Sequence, residues 1–348
     1  MNNQIKPIRD EIWVLSDNRP GTSSQAIGLA EEMGFYYKNI NLIYSPLSKL
    51  PNCFLSSSSL RISFESVKQI ASQDYLPRFV ISAGRRSAPI ALFIKKISNN
   101  RSKIIQIMNP NIDFKKFDFV ILPKHDRASN PSNPSNQRSD NLLITIGSLT
   151  RIDPKTIANE CEKFSSWFRA RFQGPCETES PAKKIALLIG GSSNKTEFTA
   201  KSAAKLGRII STIARGMDAE LLVLTSRRTS YEISDAIKLN LKCNFRFFDW
   251  AEVKIENPYL AVLGYADFFV TTGDSVSMIS ECCSTGKPVY IFDERKISSK
   301  KHRKFHHDLI DENYAKKFPK RAVELKNFSP KKLDETRRVA SIIKNRLE

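Results

Sequence analysis

The chain has 348 residues, 41% of them apolar, with 55 Lys or Arg against 36 Asp or Glu and a formal net charge of +19. That length exceeds what one hydrophobic core usually organises and predicts two domains, while the compact apolar runs exclude a chain disordered throughout. The charge predicts attraction to phosphates, anionic lipid heads or nucleic acid, and 17 Lys or Arg against 7 Asp or Glu from Arg295 to Glu348 place about half of the excess in the final stretch.

In chain order, strand-like runs alternate with amphipathic stretches: IWVLS, a helix over SSQAIGLAEEMG, NINLIYS, a helix over SFESVKQIASQ, RFVISAG, a helix over APIALFIKKIS, then KIIQIMN, FDFVILP and NLLITIG. Such alternation predicts βαβ units and a mostly parallel sheet. RASNPSNPSNQRS has almost nothing to bury and reads as a solvated loop. After a helix over NECEKFSSWFRARF, the aperiodic GPCETESPAKK is expected to be the interdomain linker. The pattern then restarts with IALLIGG, a helix over KSAAKLGRIISTIARGM, ELLVLTS, a helix over SYEISDAIKLNL, NFRFFDW, a turn at YLAVLGYA, DFFVTTG, a helix over SVSMISECCSTG, and PVYIF. LDETRRVASIIKNRL closes as a helix able to pack on either lobe. The expected organisation is an amino-terminal lobe over 1–175, a linker over 176–183, a second lobe over 184–325 and a basic helix over 326–348.

Six cysteines (Cys53, Cys161, Cys176, Cys243, Cys282 and Cys283) show no CxxC pair, and the four histidines have no zinc-type spacing with them. Neither a disulfide framework nor a metal site is expected. MNNQIKPIRDE matches neither a secretory signal nor a transit peptide. No run approaches 18 apolar residues, which excludes a spanning helix; a cytosolic chain is expected, with peripheral membrane contact allowed.

In open α/β sheets, ligands bind at the carboxyl ends of strands, where loops and helix N-termini expose N–H groups. Five small-residue loops fall there. SDNRPGTSS carries Gly21, and SAGRRS carries Gly84 and Arg85. GGSSNKT carries Gly190, Gly191, Ser192 and Lys195; TSRRTS carries Ser226, Arg227 and Arg228; TTGDSVS carries Gly273, Asp274, Ser275 and Ser277. An Arg at such an end can fork onto phosphate. GGSSNKT lacks the GxxxxGK spacing of an ATP-hydrolysing P-loop.

DFFVTTGDSVSMISECCSTGKPVYIF is the most specific segment, and it resembles the donor-binding end of GT-B glycosyltransferases. Gly273 allows close backbone approach, Ser275 can cap the helix, and the helix N-terminus favours diphosphate. The resemblance implies that Glu281, one turn on, accepts hydrogen bonds from ribose hydroxyls.

Over about residues 12 to 320, SDNRPG, SAGRRSAP, PKHD, IGSLTR, LLIGGSS, TSRRT, NPYLA and TGDSVSMISE occur in the order of the mitochondrial fission "elongated mitochondria" family, which the chain resembles. The resemblance implies an α/β fold of two Rossmann-like lobes, GT-B-like, and for plant members recruitment of a dynamin-related protein to the outer mitochondrial surface. The family's first loop usually reads Asp-Gly-Arg-Pro-Gly-His with a Gln three residues on, whereas Asp17, Asn18, Arg19, Pro20, Gly21, Thr22 and Gln25 stand here. Thr22 cannot take a proton near neutral pH, which leaves Asp17 or His125 as the candidate base.

These readings lead to a GT-B-like protein that binds a nucleotide-diphosphate sugar or similar anion and, if active, transfers the sugar to a membrane-proximal acceptor. No cofactor is expected, and the absence of a DxD triplet agrees with metal independence. The rival is a non-catalytic adaptor using its basic carboxyl end on an anionic membrane surface or an acidic protein. Nucleic acid is disfavoured, because aromatics are not interleaved with the basic run.

Overall fold

The computed structural model describes residues 6–17, 19–45, 62–127, 140–169, 183–193, 196–252, 256–294 and 296–347. The chain forms two compact units, one comprising Met1–Arg151 with Asp334–Glu348 and the other Ile152–Leu333.

The first unit is a six-stranded sheet of β1 (Ile8–Ser16), β2 (Tyr37–Asn41), β3 (Leu76–Ala83), β4 (Lys103–Ile107), β5 (Phe119–Pro123) and β6 (Leu142–Thr145), in the order β2-β1-β3-β4-β5-β6. Every pairing is parallel. Helices α1 (Pro20–Met33), α2 (Phe64–Ala71) and α3 (Gly84–Ile97) supply the crossovers, so strands such as FVIS are buried on both faces and read as unbroken apolar runs. α1 begins with Pro20 and ends on the left-handed Gly34, whose N–H returns to the Glu31 carbonyl.

The second unit opens with α4 (Pro154–Lys163) and α5 (Ser165–Arg169). Its sheet holds β7 (Lys183–Ile189), β8 (Ala219–Thr225), β9 (Phe245–Phe248), β10 (Phe268–Thr272), β11 (Val289–Phe292) and β12 (Lys316–Lys317), in the order β12-β11-β10-β7-β8-β9 and again all parallel. Its helices are α6 (Ala200–Gly216), α7 (Tyr231–Lys238), α8 (Tyr259–Tyr265), α9 (Val276–Ser284) and α10 (Lys300–Asp311). α6 is capped by Thr199 and buries Leu206, Ile210 and Ile213 against β7 and β8.

Three differences from the sequence reading have physical causes. The division falls at 151/152, not in 176–183, because α4 packs on α8 and Arg246 Nη1 and Nη2 donate to the Trp167 and Phe168 carbonyls while its Nε pairs with buried Glu220. The closing helix α11 (Glu335–Leu347) belongs to the first unit, where Val339, Ala340 and Ile343 share a core with Leu29 and Met33. YLAVLGYA is the helix α8, not a turn. Lys287 Nζ donates to the Leu263, Gly264 and Ala266 carbonyls at its end, a cation where a helix C-terminus favours one. Nearly all of RASNPSNPSNQRS and of the expected linker lies outside the described residues.

Candidate functional site

In the second sheet the chain runs outward from β7 through β8 to β9, then returns to the other side of β7 as β10 and continues to β11. The strand order therefore reverses between β7 and β10. Their following loops diverge there, which is where open α/β sheets bind ligands.

The two loops and the one after β8 are tied by one carboxylate. Asp274 is buried, and its Oδ1 accepts from Thr272 Oγ1 at 2.6 Å. Its Oδ2 accepts from the Gly191 N–H at 3.0 Å and from Arg228 Nη2 at 2.8 Å. Gly190 N donates to Thr272 Oγ1 at 2.8 Å. A β-carbon at Gly190 would stand 2.1 Å from Asp274 Oδ2, and one at Gly191 would stand 1.9 Å from the Arg228 carbonyl oxygen. These glycines thus make room for the protein's own carboxylate and for the neighbouring loop. The Gly190–Gly191 loop, one of the five placed where a ligand is expected, is filled from within by Asp274.

The rest of the β8 loop is held by Ser226, whose N–H donates to Thr229 Oγ1 and whose Oγ accepts from Arg228 N–H. Arg227 is exposed. Ser192 Oγ accepts from the Phe198 N–H at 3.0 Å, and Lys195 lies outside the described residues.

α9 starts directly after this knot. Ser275 is its N-cap, with Oγ accepting from the Met278 N–H at 3.4 Å, and Ser277 sits partly exposed in the first turn. Glu281 faces Tyr259 of α8, whose hydroxyl donates to Oε2 at 2.5 Å. Glu281 keeps a little contact with solvent but lies beneath a dense layer of protein. Burial pushes its carboxyl from the ordinary 4.5 up to about 7, against the opposing hydrogen bond from Tyr259. Burial, and the neighbouring Glu281, hold the Tyr259 hydroxyl well above the usual phenol range. Tyr259 was missed in the sequence because its segment read as a turn. Its only signal was its place in NPYLA.

The remaining residues lie in the first unit, where the strand order reverses between β1 and β3. Asp17 Oδ1 accepts the Arg19 N–H at 3.0 Å and its carbonyl accepts from Ser23, so the carboxylate closes the turn into α1. The Gly21 carbonyl accepts from Gln25. Gly84 adopts a φ of 78° at the start of α3, and Arg85 follows it, exposed. His125 is buried in a 3-10 turn after β5, with Nε2 3.5 Å from Asp126. β1 and β5 are separated by β3 and β4, so at ~4.8 Å per strand Asp17 and His125 spring from backbones roughly 14 Å apart and form no pair. Among the described residues no group of three or more His, Cys, Asp or Glu is arranged to hold a metal, and no helix is long and apolar enough to cross a membrane.

Two six-stranded parallel sheets, each flanked by helices and each with a strand-order reversal, define a two-lobed α/β protein of the GT-B-like class. Solved structures with this fold include the UDP-GlcNAc 2-epimerase of Methanocaldococcus jannaschii, with a TM-score of 0.55, 10% identity, and coverage of 96% of this chain and 99% of that one. The glycotransferase of kitacinnamycin gives a TM-score of 0.50, 14% identity and coverage of 98% and 100%. The chain belongs to the mitochondrial fission ELM1 family, whose sequence model matches residues 20–347. The uncharacterized protein RP120 of Rickettsia prowazekii is 32% identical over 349 residues, 96% of this chain and 97% of that protein. The mitochondrial fission protein ELM1 of Arabidopsis thaliana is 28% identical over 252 residues, 68% of this chain but only 56% of the plant protein.

Proposed function

We propose that the second unit binds a nucleotide diphosphate or nucleotide-diphosphate sugar at the N-terminus of α9. The observation that carries this reading is the placement of Ser275, Ser277 and Glu281 along one short helix that starts at the strand-order reversal, on a loop braced by Asp274. A helix N-terminus favours diphosphate, and a carboxylate one turn further on suits the ribose hydroxyls. Arg228, with its guanidinium partly exposed beside Asp274, is a fixed cation at this loop. A protein sharing the fold, the UDP-GlcNAc 2-epimerase of Methanocaldococcus jannaschii, takes by its name a ligand of this class. Sugar transfer is the chemistry that fits such a ligand, with helix dipole, N–H groups and Arg228 offsetting the leaving diphosphate's charge.

The test is calorimetry with UDP. Ser275→Ala combined with Glu281→Ala removes a cap and a hydrogen-bond acceptor and should weaken UDP binding roughly tenfold to a hundredfold. Absence of UDP binding by the wild-type chain up to millimolar concentration rejects the reading.

One observation favours binding without transfer. Thr22 stands where the family's usual histidine would, and the Asp17 carboxylate is engaged by its own turn, so the first loop presents no ready base. In that case the protein acts as an adaptor, and the exposed Lys300, Lys301 and Lys304 of α10 suit an anionic membrane surface or an acidic partner. Release of UDP from a UDP-sugar in the presence of membrane acceptors separates the two readings.

A further inference from the structure

His302 and His306 lie one turn apart on α10 and so share a face of the helix. His306 is buried, with a side chain 5% exposed, and its Nδ1 stands 3.3 Å from Oδ2 of Asp293, the residue after β11. With that carboxylate on Nδ1, the ring's first proton belongs there and Nε2 points away from Asp293. Nε2 of His306 is buried without a hydrogen-bond partner, and so is Nδ1 of His302. Buried polar atoms of this kind call for an explanation, because the great majority are satisfied.

The imidazole of His306 is pressed against the loop that starts α9. A β-carbon at Gly273 would stand 2.6 Å from His306 Cε1 and 3.3 Å from Nε2, and 2.6 Å from Ser298 Oγ. Ser298 in turn donates to the Gly273 carbonyl at 2.8 Å. The glycine therefore admits the ring edge at a point where any side chain would expel it. Burial alone would raise the Asp293 carboxyl, yet the hydrogen bond from His306, the polar Ser298 side chain and the nearby Arg303 bring it below the usual carboxylate range, so it stays an anion on the far side of the ring. On the near side, Arg228, Lys301 and Asp274 lie within electrostatic reach of His302. Asp274 is already saturated by Thr272, Gly191 and Arg228. What this face still offers is two imidazole nitrogens that no protein group occupies, and these become donors to an anion once protonated.

We propose that His306, oriented by Asp293, is a phosphate-binding residue: on binding it takes a proton on Nε2 and donates it to a terminal oxygen of a diphosphate seated over Gly273 at the first turn of α9. The inference rests on the nucleotide-diphosphate reading above and assigns the group that meets the terminal phosphate. Asp293 is a positioning residue. Contact with Nε2 requires an outward shift of the Gly273 loop, against the hydrogen bonds from the Gly273 N–H to the Phe292 carbonyl and from Ser298 to the Gly273 carbonyl.

The test uses the full chain with ¹⁵N-labelled histidine. Long-range ¹H–¹⁵N spectra should show His306 protonated on Nδ1, and inorganic pyrophosphate should move the Nε2 resonance to that of a protonated donor. By calorimetry, His306→Phe should bind pyrophosphate and UDP about tenfold more weakly and leave uridine binding unchanged. Asp293→Asn, which keeps the ring and its packing, should change the tautomer and weaken the same two ligands; it serves if the Phe variant does not fold. If UDP and pyrophosphate bind wild type and variants equally, with the His306 resonances unmoved, the inference is overturned while the nucleotide reading stands. If pyrophosphate binds through His306 but UDP does not bind, the nucleotide reading fails and the phosphate site stands. If neither binds, both are overturned.

Discussion

Replacing Asp274 with Ala should destabilise the second unit more than any other single change in the loops at the carboxyl edge of its sheet. The substitution removes three hydrogen bonds at once, from Thr272, the Gly191 N–H and Arg228. The losses are unequal. Thr272 Oγ1 still accepts from Gly190, and Arg228, with a side chain 39% exposed, can turn to water. The Gly191 N–H is buried and has no such escape. A charge-assisted bond to a buried donor is worth about 1.5 to 3 kcal/mol, and with a small term for the vacated carboxylate volume the total comes to about 2 to 4 kcal/mol. For a unit of this size, 1 kcal/mol shifts the melting temperature by ~2–4 °C, so the transition should fall by roughly 5 to 15 °C. Arg228→Ala leaves a buried carboxylate short of one donor and should also be costly, but the double variant should cost less than the sum, with a coupling of about 1 to 3 kcal/mol. Calorimetric unfolding of the four proteins decides the matter. A loss below ~1 kcal/mol for Asp274→Ala, or strictly additive single effects, would refute the idea that this carboxylate braces the three loops.

Two further outcomes follow from the same structure. Glu281 is held protonated more firmly when folded, at about 7 against an ordinary 4.5, so its contribution is fully present at acidic pH and is lost as pH rises from 4.5 through 7. Glu281→Gln should therefore leave stability at pH 5 nearly unchanged and raise it at pH 8 by about 2 kcal/mol, discounted from the full shift because the residue keeps some solvent contact; equal stability of the two proteins at both pH values would contradict this. On α10, Lys300, Lys301 and Lys304 are exposed whereas Arg303 donates back to the Ser298 carbonyl, so the triple change of the lysines to Gln should cut sedimentation with anionic vesicles by roughly a hundredfold at low salt. Unchanged sedimentation would make the patch a merely solvated face.

The strands were legible because a parallel sheet covered on both faces buries every residue of a strand, and runs such as IALLI and DFFV carry that burial openly. Helices α6 and α7 were equally plain from their amphipathic spacing. α8 was not, since its seven residues are apolar almost all round and its helical state depends on α4 and on Lys287, which is distant from it in sequence. Of the site, the cap at Ser275 was readable from the strand–Gly–Ser pattern. The role of Asp274 was not, because its partners Gly191 and Arg228 are distant in sequence. His306 looked like one basic residue among many, and the helical spacing from His302 was its only signal; its ties to Asp293 and Gly273 exist only in three dimensions.

The return of α11 to the first unit also sets an order of assembly. Thr336 Oγ1 both accepts from the Thr150 N–H and donates to the Thr150 carbonyl, each at 2.9 Å, and Glu335 accepts from the Ile146 N–H. The second unit is thus an insertion bounded by Arg151 and Asp334, flanked by residues stitched side by side. During vectorial synthesis the inserted unit can complete its core while the first still presents the bare groove against α1 that Val339, Ala340 and Ile343 will fill. The unit whose strands are made first therefore cannot bury that groove until the closing helix has been made.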